Sequence, residues 1–123
     1  DGSSIKSVYL PDFLFEGTTD RKFSGINAYE EYVDELRTMF PDLKMQVDEV
    51  YWMGNETDGW LISTRWSAEG THLGKGFYPT TTGELCQIWG VTQWRVHNGK
   101  IEKEWQLFNE FDLMMQIAVA LRK

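Results

Sequence analysis

The chain has 123 residues, with 12 Lys+Arg against 19 Asp+Glu and a formal net charge of −7, and it is sized as one domain, residues 1–123. At this length roughly 65% of the unfolded surface can be buried, so a core is expected without metal, and the lone Cys86 excludes an internal disulfide. The acidic balance argues against nucleic acid, and neither a bilayer-length apolar run nor a signal-peptide pattern is present, so the expectation is a soluble cytoplasmic protein with no membrane partner.

Ser3 and Ser4 can cap a short helical turn through Tyr9, Pro11 breaks it, and DFLFEG alternates from Asp12 into a glycine stop as a strand would. From Ser24 to Phe40 the apolar residues Ile26, Tyr29, Val33, Leu36 and Phe40 recur at three and four, which predicts a helix ended by Pro41. Strands are predicted over Lys44 to Met53, Gly59 to Ala68, Leu85 to Val96 and Ile101 to Phe108, joined as an antiparallel meander. A terminal amphipathic stretch with Leu113, Ile117, Ala118 and Leu121 on one face predicts a last helix. A helix followed by antiparallel strands is the α+β pattern, a curved sheet wrapped around helices.

Catalytic signatures are sparse: there is no phosphate loop, no nucleophile elbow and no metal-ligand spacing, and the only histidines are His72 and His97. His97 in HNGK reads as a solvated turn residue. His72 in GTHLG can be a surface turn residue or, because the flanking glycines let the backbone bend, an inward-facing acid or base. Six tryptophans, Trp52, Trp60, Trp66, Trp89, Trp94 and Trp105, all fall on predicted strands. Core packing explains them by default, and an aromatic-walled pocket for a flat apolar ligand is the functional alternative. Strands this aromatic on both faces also suggest that another subunit covers the outer face.

In chain order, FPDL (Phe40 to Leu43), GTHLG (Gly70 to Gly74), a Pro/Thr turn (Pro79 to Gly83), NGKIEKEW (Asn98 to Trp105) and Leu113-Met114-Met115-Gln116 resemble the SnoaL-like polyketide cyclase family of the nuclear transport factor 2-like superfamily. The resemblance implies a cone-shaped α+β barrel with a hydrophobic pocket, commonly dimeric, working without cofactor or metal. The long helix that the family places before its first strand has no counterpart, because Tyr9 to Gly17 already reads as that strand. Family cyclases close a ring by aldol condensation with an aspartate five residues after the isoleucine of the GKI turn, and here that position is Gln106. A second family aspartate corresponds to Asn109 and the pocket histidine to Thr92. An amide can orient a carbonyl but cannot exchange a proton near neutral pH, so the family mechanism does not carry over intact.

Hairpin register decides what could compensate. A two-residue Asn98-Gly99 turn pairs Thr92 with Trp105; a type I turn with a glycine bulge pairs Thr92 with Glu104 and Gly90 with Gln106. The bulged register is preferred because it puts both family positions on one side, and it brings Glu104 into the pocket, where apolar walls would raise its pKa. A solvated Glu104 is the competing reading. The candidate site is therefore Glu104 and His72 as acid/base groups, with Gln106, Thr92, Trp94, Phe15 and Asn109 lining a pocket for a small hydrophobic or aromatic molecule. Three functions remain open: an active cyclase- or isomerase-like enzyme, a binding module that has lost the chemistry, and a dimerising structural domain. The same register leaves Trp89, Val91 and Trp105 on the outer face, which predicts a homodimer.

Overall fold

Among the described residues, alternation of apolar and polar side chains builds one six-stranded sheet on which two helices lie. The computed structural model describes residues 7–78 and 81–122. Its strands are β1 (Tyr9–Gly17), β2 (Arg21–Ser24), β3 (Lys44–Asn55), β4 (Gly59–Thr71), β5 (Leu85–His97) and β6 (Lys100–Phe108), with helices α1 (Ile26–Met39) and α2 (Glu110–Leu121). The order across the sheet is β2-β1-β6-β5-β4-β3. The expected meander from β3 to β6 is present, but β1 runs parallel to β6, so the sheet is not antiparallel throughout. Ser3 and Ser4 of the predicted helical turn lie outside the described residues, as do Pro79 and Thr80 of the Pro/Thr turn; of the rest of the helical turn, Ser7 and Val8 are helical, but Tyr9 already begins β1.

The helix predicted from Ser24 begins two residues later. Thr19 and Asp20, both at positive φ, reverse the chain so that Arg21–Ser24 pairs back on β1. Gly25, at φ 90°, then donates its N–H to Phe13 O at 2.9 Å before the helix starts. Only glycine enters that conformation at little cost.

α1 packs against β1 and β2, burying Tyr32 against Tyr9, Phe13 and Phe15. A second apolar cluster joins Met39, Phe40, Trp66, Ile88, Leu113 and Ile117. The tryptophans mostly stay out of this core, contrary to the default expectation: only Trp66 is buried, while Trp52 and Trp89 are 65% and 60% exposed. Phenylalanines and tyrosines fill the interior instead. On α2 the buried apolar face is Leu113 and Ile117, and Ala118 and Leu121 of the predicted face are exposed. No helix among the described residues is long and apolar enough to cross a membrane.

The β5–β6 hairpin differs from both registers considered above. Asn98 and Gly99 have φ of 52° and 74°, the left-handed pair that a two-residue type I′ turn requires, and His97 faces Lys100. The pairing then shifts by one: Val96 faces Ile101 but Arg95 faces Lys103, so Glu102 is the extra residue of a β-bulge. Thr92 consequently faces Gln106, not Glu104, and Gly90 faces Phe108, not Gln106. The side-chain parity is that of the bulged register, so Thr92, Glu104 and Gln106 do share one face. Gly90 is required here, since a Cβ at this position would sit 2.3 Å from Leu107 O.

β6 ends at Phe108 opposite Gly90, so the Leu85–Trp89 stretch of β5, paired with β4 on one edge, has no strand on the other. Two amides of the following segment take its place. Asn109 accepts the Trp89 N–H on Oδ1 at 2.9 Å, donates from Nδ2 to Gln87 O at 3.3 Å, and donates its backbone N–H to Trp89 O at 3.0 Å. Gln116 accepts the Gln87 N–H and donates to Gln87 O, both at 2.9 Å. Buried backbone groups cannot go unpaired cheaply, so the substitution Asn109→Ala should lower unfolding stability by about 1–3 kcal/mol in urea denaturation and accelerate hydrogen exchange at the Trp89 amide.

Candidate ligand-binding site

Cross-strand pairing sorts the concave face into rows. One row runs Val50, Thr64, Thr92, Gln106; the adjacent row runs Trp52, Ile62, Trp94, Glu104 and on to Phe15. Between this surface and α1 lies an apolar cavity of about 50 Å³, lined by Tyr32, Leu36, Phe40, Trp66, Phe77 and Gln106 among others. That is room for a few waters rather than for a multi-ring molecule. Of the residues expected to line a pocket, only Gln106 borders this cavity, where its Oε1 accepts the Tyr32 hydroxyl at 2.7 Å.

Thr92 is buried one step away, its hydroxyl accepting the Trp66 indole N–H at 2.9 Å. Phe15 is buried in the α1 cluster, stacked on Phe23 with ring centroids 4.4 Å apart. Asn109 spends its side chain on the β5 edge.

Glu104 is fully buried. Its Oε1 accepts both the Tyr9 hydroxyl at 2.5 Å and the Trp94 indole N–H at 2.7 Å, while Oε2 has no hydrogen-bond partner. Burial raises the Glu104 pKa above the ordinary carboxylate value, and the Tyr9 and Trp94 hydrogen bonds, with a smaller effect of the nearby Tyr29 hydroxyl, oppose that shift without cancelling it. Burial also raises the Tyr9 and Tyr29 pKa values, with the Glu104 charge acting in the same direction.

His72 is also fully buried, its Nδ1 3.2 Å from Thr82 Oγ1 and its Nε2 without a partner. Its ring lies near Phe40 and Tyr78, both of which line the cavity. Burial lowers the His72 pKa, against a smaller opposing effect of a backbone hydrogen bond at Gly74. Glu104 and His72 do not meet. Trp94, which pairs with Glu104, and Cys86, in the strand pair beside His72, are eight positions apart on β5, roughly 25 Å at about 3.3 Å per residue. One reacting atom cannot touch both.

A polar clamp closes the cavity's Phe77–Tyr78 side. Arg21 pairs with Glu110 through two 2.8 Å bonds, Tyr78 donates to Glu110 at 2.7 Å, Thr19 donates to the same carboxylate, and the Arg21 guanidinium lies 4.7 Å from the Phe77 ring centroid. Burial works against the Glu110 charge, but the Arg21, Thr19 and Tyr78 hydrogen bonds outweigh it and hold the pKa below the ordinary range. Neither this clamp nor the Tyr32–Gln106 bond was anticipated from the residues alone. Tyr29 and Tyr32, three apart on an otherwise apolar stripe, were the available signal, because a buried phenol needs an acceptor.

Residues 1–117 match the family model for the SnoaL-like polyketide cyclase. The chain belongs to the SnoaL-like polyketide cyclase family. A structure from Jannaschia sp. CCS1, named as a candidate SnoaL-like polyketide cyclase, superposes with TM-score 0.83 at 16% identity over 94% of this chain and 77% of that one. AclR from Streptomyces galilaeus, a candidate hydroxylase, gives 0.76 at 20% identity over 94% and 82%. A candidate polyketide cyclase from Acidithiobacillus ferrooxidans gives 0.76 at 17% identity over 97% and 83%. These likenesses show a common fold, the α+β cone of nuclear transport factor 2-like proteins. No functionally curated protein matches the chain.

The raised pKa of Glu104 has a signed consequence for stability. Folding favours its protonated form, so this contribution is complete below the unfolded value of about 4.3 and is lost as pH rises through the folded value. The variant Glu104→Gln, which cannot ionise, should gain in Tm relative to the unmodified protein between pH 4 and pH 8; a constant difference across that range would show that Glu104 ionises normally.

Proposed function

We propose that this chain binds a small, flat, apolar molecule bearing a carbonyl, and that Gln106 and Tyr32 form the polar anchor of its site. The observation that carries this reading is the 2.7 Å bond from the Tyr32 hydroxyl to Gln106 Oε1 at the border of the apolar cavity. With Oε1 engaged as acceptor, the amide NH₂ is the group left to donate to a carbonyl. The cavity's size means that a multi-ring ligand must displace side chains such as Phe77 and Tyr78, or extend beyond the cavity.

A carboxamide cannot replace the aspartate by which family cyclases move a proton. Relatives of similar fold carry both cyclase and hydroxylase names, so the fold by itself does not assign a reaction. A second reading is favoured by the burial of Glu104: a cyclase- or isomerase-like enzyme, independent of cofactors, with that neutral acid donating a proton. His72, buried and held in its neutral form, is the alternative acid/base group on the far side of the cavity.

Turnover of a linear anthracycline-type precursor separates these readings. The unmodified protein should fail to cyclise it, and Gln106→Asp should fold. Loss of a positioned acid/base costs about 10²–10⁴ in rate, so turnover that disappears in Glu104→Gln would make Glu104 the acid and establish the second reading. Turnover that persists in Glu104→Gln would show that neither position is needed.

The outer sheet face supports a homodimer. Trp89, Val91 and Leu107 are exposed there and Trp105 is half-buried, an apolar surface of a kind that isolated monomers seldom leave in water. Light scattering at high micromolar concentration should give the mass of two chains, and Trp89→Glu should return the mass of one.

A further inference from the structure

We propose that the outward side of α2 is a further contact surface of this chain, and that its occupant is α2 of another copy, packed antiparallel to it. The contact is separate from the cavity and from the outer sheet face, and it does not rest on the small-molecule reading.

α2 is apolar nearly all round. Its polar residues are Glu110, Asp112 and Gln116, and each is committed within its own chain: Glu110 holds Arg21 and Tyr78, Asp112 accepts from Asn109 and Gln116, and Gln116 bonds the Gln87 backbone. Leu113 and Ile117 pack with Trp66 and Ile88 on the concave side of the sheet. At about 100° of turn per residue, Phe111, Met114, Met115, Ala118 and Arg122 then form a stripe along the opposite side of the helix. All five are exposed, Phe111 at 80%. A helix apolar on both sides belongs between two layers, and here the chain supplies one of them.

The stripe is complementary to itself. Turning a second α2 end for end about an axis level with Gln116 and Ile117 sets Met115 against Ala118 of the other copy and Phe111 against its Arg122, with Asp112 beside the same guanidinium. Large meets small at the crossing, where the Ala118 methyl lets the helices approach. A guanidinium against a phenyl ring is a contact the chain already makes, Arg21 lying 4.7 Å from the Phe77 centroid. The parallel alternative brings Asp112 beside Asp112, Arg122 beside Arg122, and like ends of two helix dipoles together. Charge therefore selects the antiparallel arrangement.

The stripe is about 16 Å long at about 1.5 Å per residue, and one helix pair of that length falls short of the roughly 1,200 Å² that stable complexes bury. The contact is accordingly weak, forming near about 1 mM. Since α2 lies on the concave side and Trp89 on the outer face, both contacts can form at once.

Cysteine cross-linking tests the arrangement, and Cys86, fully buried, does not compete. On mild oxidation at about 1 mM, chains carrying Met115→Cys mixed with chains carrying Ala118→Cys should form the mixed disulfide about tenfold faster than either variant cross-links to itself. The unmodified protein should gain mass by light scattering between about 0.1 mM and about 1 mM, Trp89→Glu should show the same relative gain, and Ala118→Glu, altered at an exposed position, should show none.

Self-disulfides that outpace the mixed one would overturn the antiparallel contact. Cross-linking no faster than that of Asp34→Cys, an exposed position on α1, would overturn the contact altogether. Loss of the mass gain in Trp89→Glu would assign it to the sheet face and overturn the proposal. So would binding to phosphatidylcholine vesicles that Phe111→Glu abolishes, without the mixed disulfide, because the stripe would then serve a lipid surface.

Discussion

One bulged residue fixes which side chains look into the cone. The Asn98-Gly99 turn alone would send Glu104 and Gln106 to opposite sides from Thr92 and Trp94, since a shift of one position exchanges the faces of a strand. The extra residue at Glu102 restores the parity, and the interior contacts of β6 depend on it: Tyr32 to Gln106, and Tyr9 and Trp94 to Glu104. The turn obeys local chemistry, because Asn-Gly adopts the left-handed pair readily. The bulge answers to the sheet, whose β6 must also run beside β1 with Phe15 against Glu104.

The interior holds two glutamates whose environments push them apart. Glu104 sits among phenols and an indole, with no cation among the groups bonded to it, and burial raises its pKa. Glu110 is as well shielded from water, yet the paired guanidinium of Arg21 keeps it charged. A carboxyl that keeps its proton can donate a hydrogen bond, and one that stays charged can only accept them. This difference separates a group with chemistry left to offer from one committed to holding α2 and the Phe77–Tyr78 segment in place.

Much of the fold was legible because periodicity records burial: the strands from Lys44 onward and the helix ended by Pro41 follow from alternation and three-four spacing. β2 was not legible, since RKFS is too short to show a period, and the parallel β1–β6 pairing leaves no local trace. The tryptophans misled because aromatic strands read as core whether or not anything covers them. At the site, inward-facing Glu104 and Gln106 could be reached through the resemblance and the hairpin, but the identity of their partners could not. Tyr9 and Glu104 meet across 95 positions, and only the closed sheet brings them together. Asn109, expected at the pocket, illustrates the same limit: nothing local to it shows that β6 ends early and leaves an edge to be satisfied.

The pairing of β1 with β6 also orders events during synthesis. A ribosome delivers the chain from its N-terminal side, so Phe13 and Phe15 emerge some ninety positions before the Lys103–Gln106 segment that flanks them in the finished sheet. Until then β1 has only β2 and α1 to cover it, and its other edge offers unsatisfied amides and carbonyls to any nearby strand. Contacts of such long sequence separation close slowly. The nascent chain therefore passes through a stage in which its most aromatic segment is its least protected one, and chaperone demand in a cell should be set by the N-terminal third rather than by the meander that makes up most of the sheet.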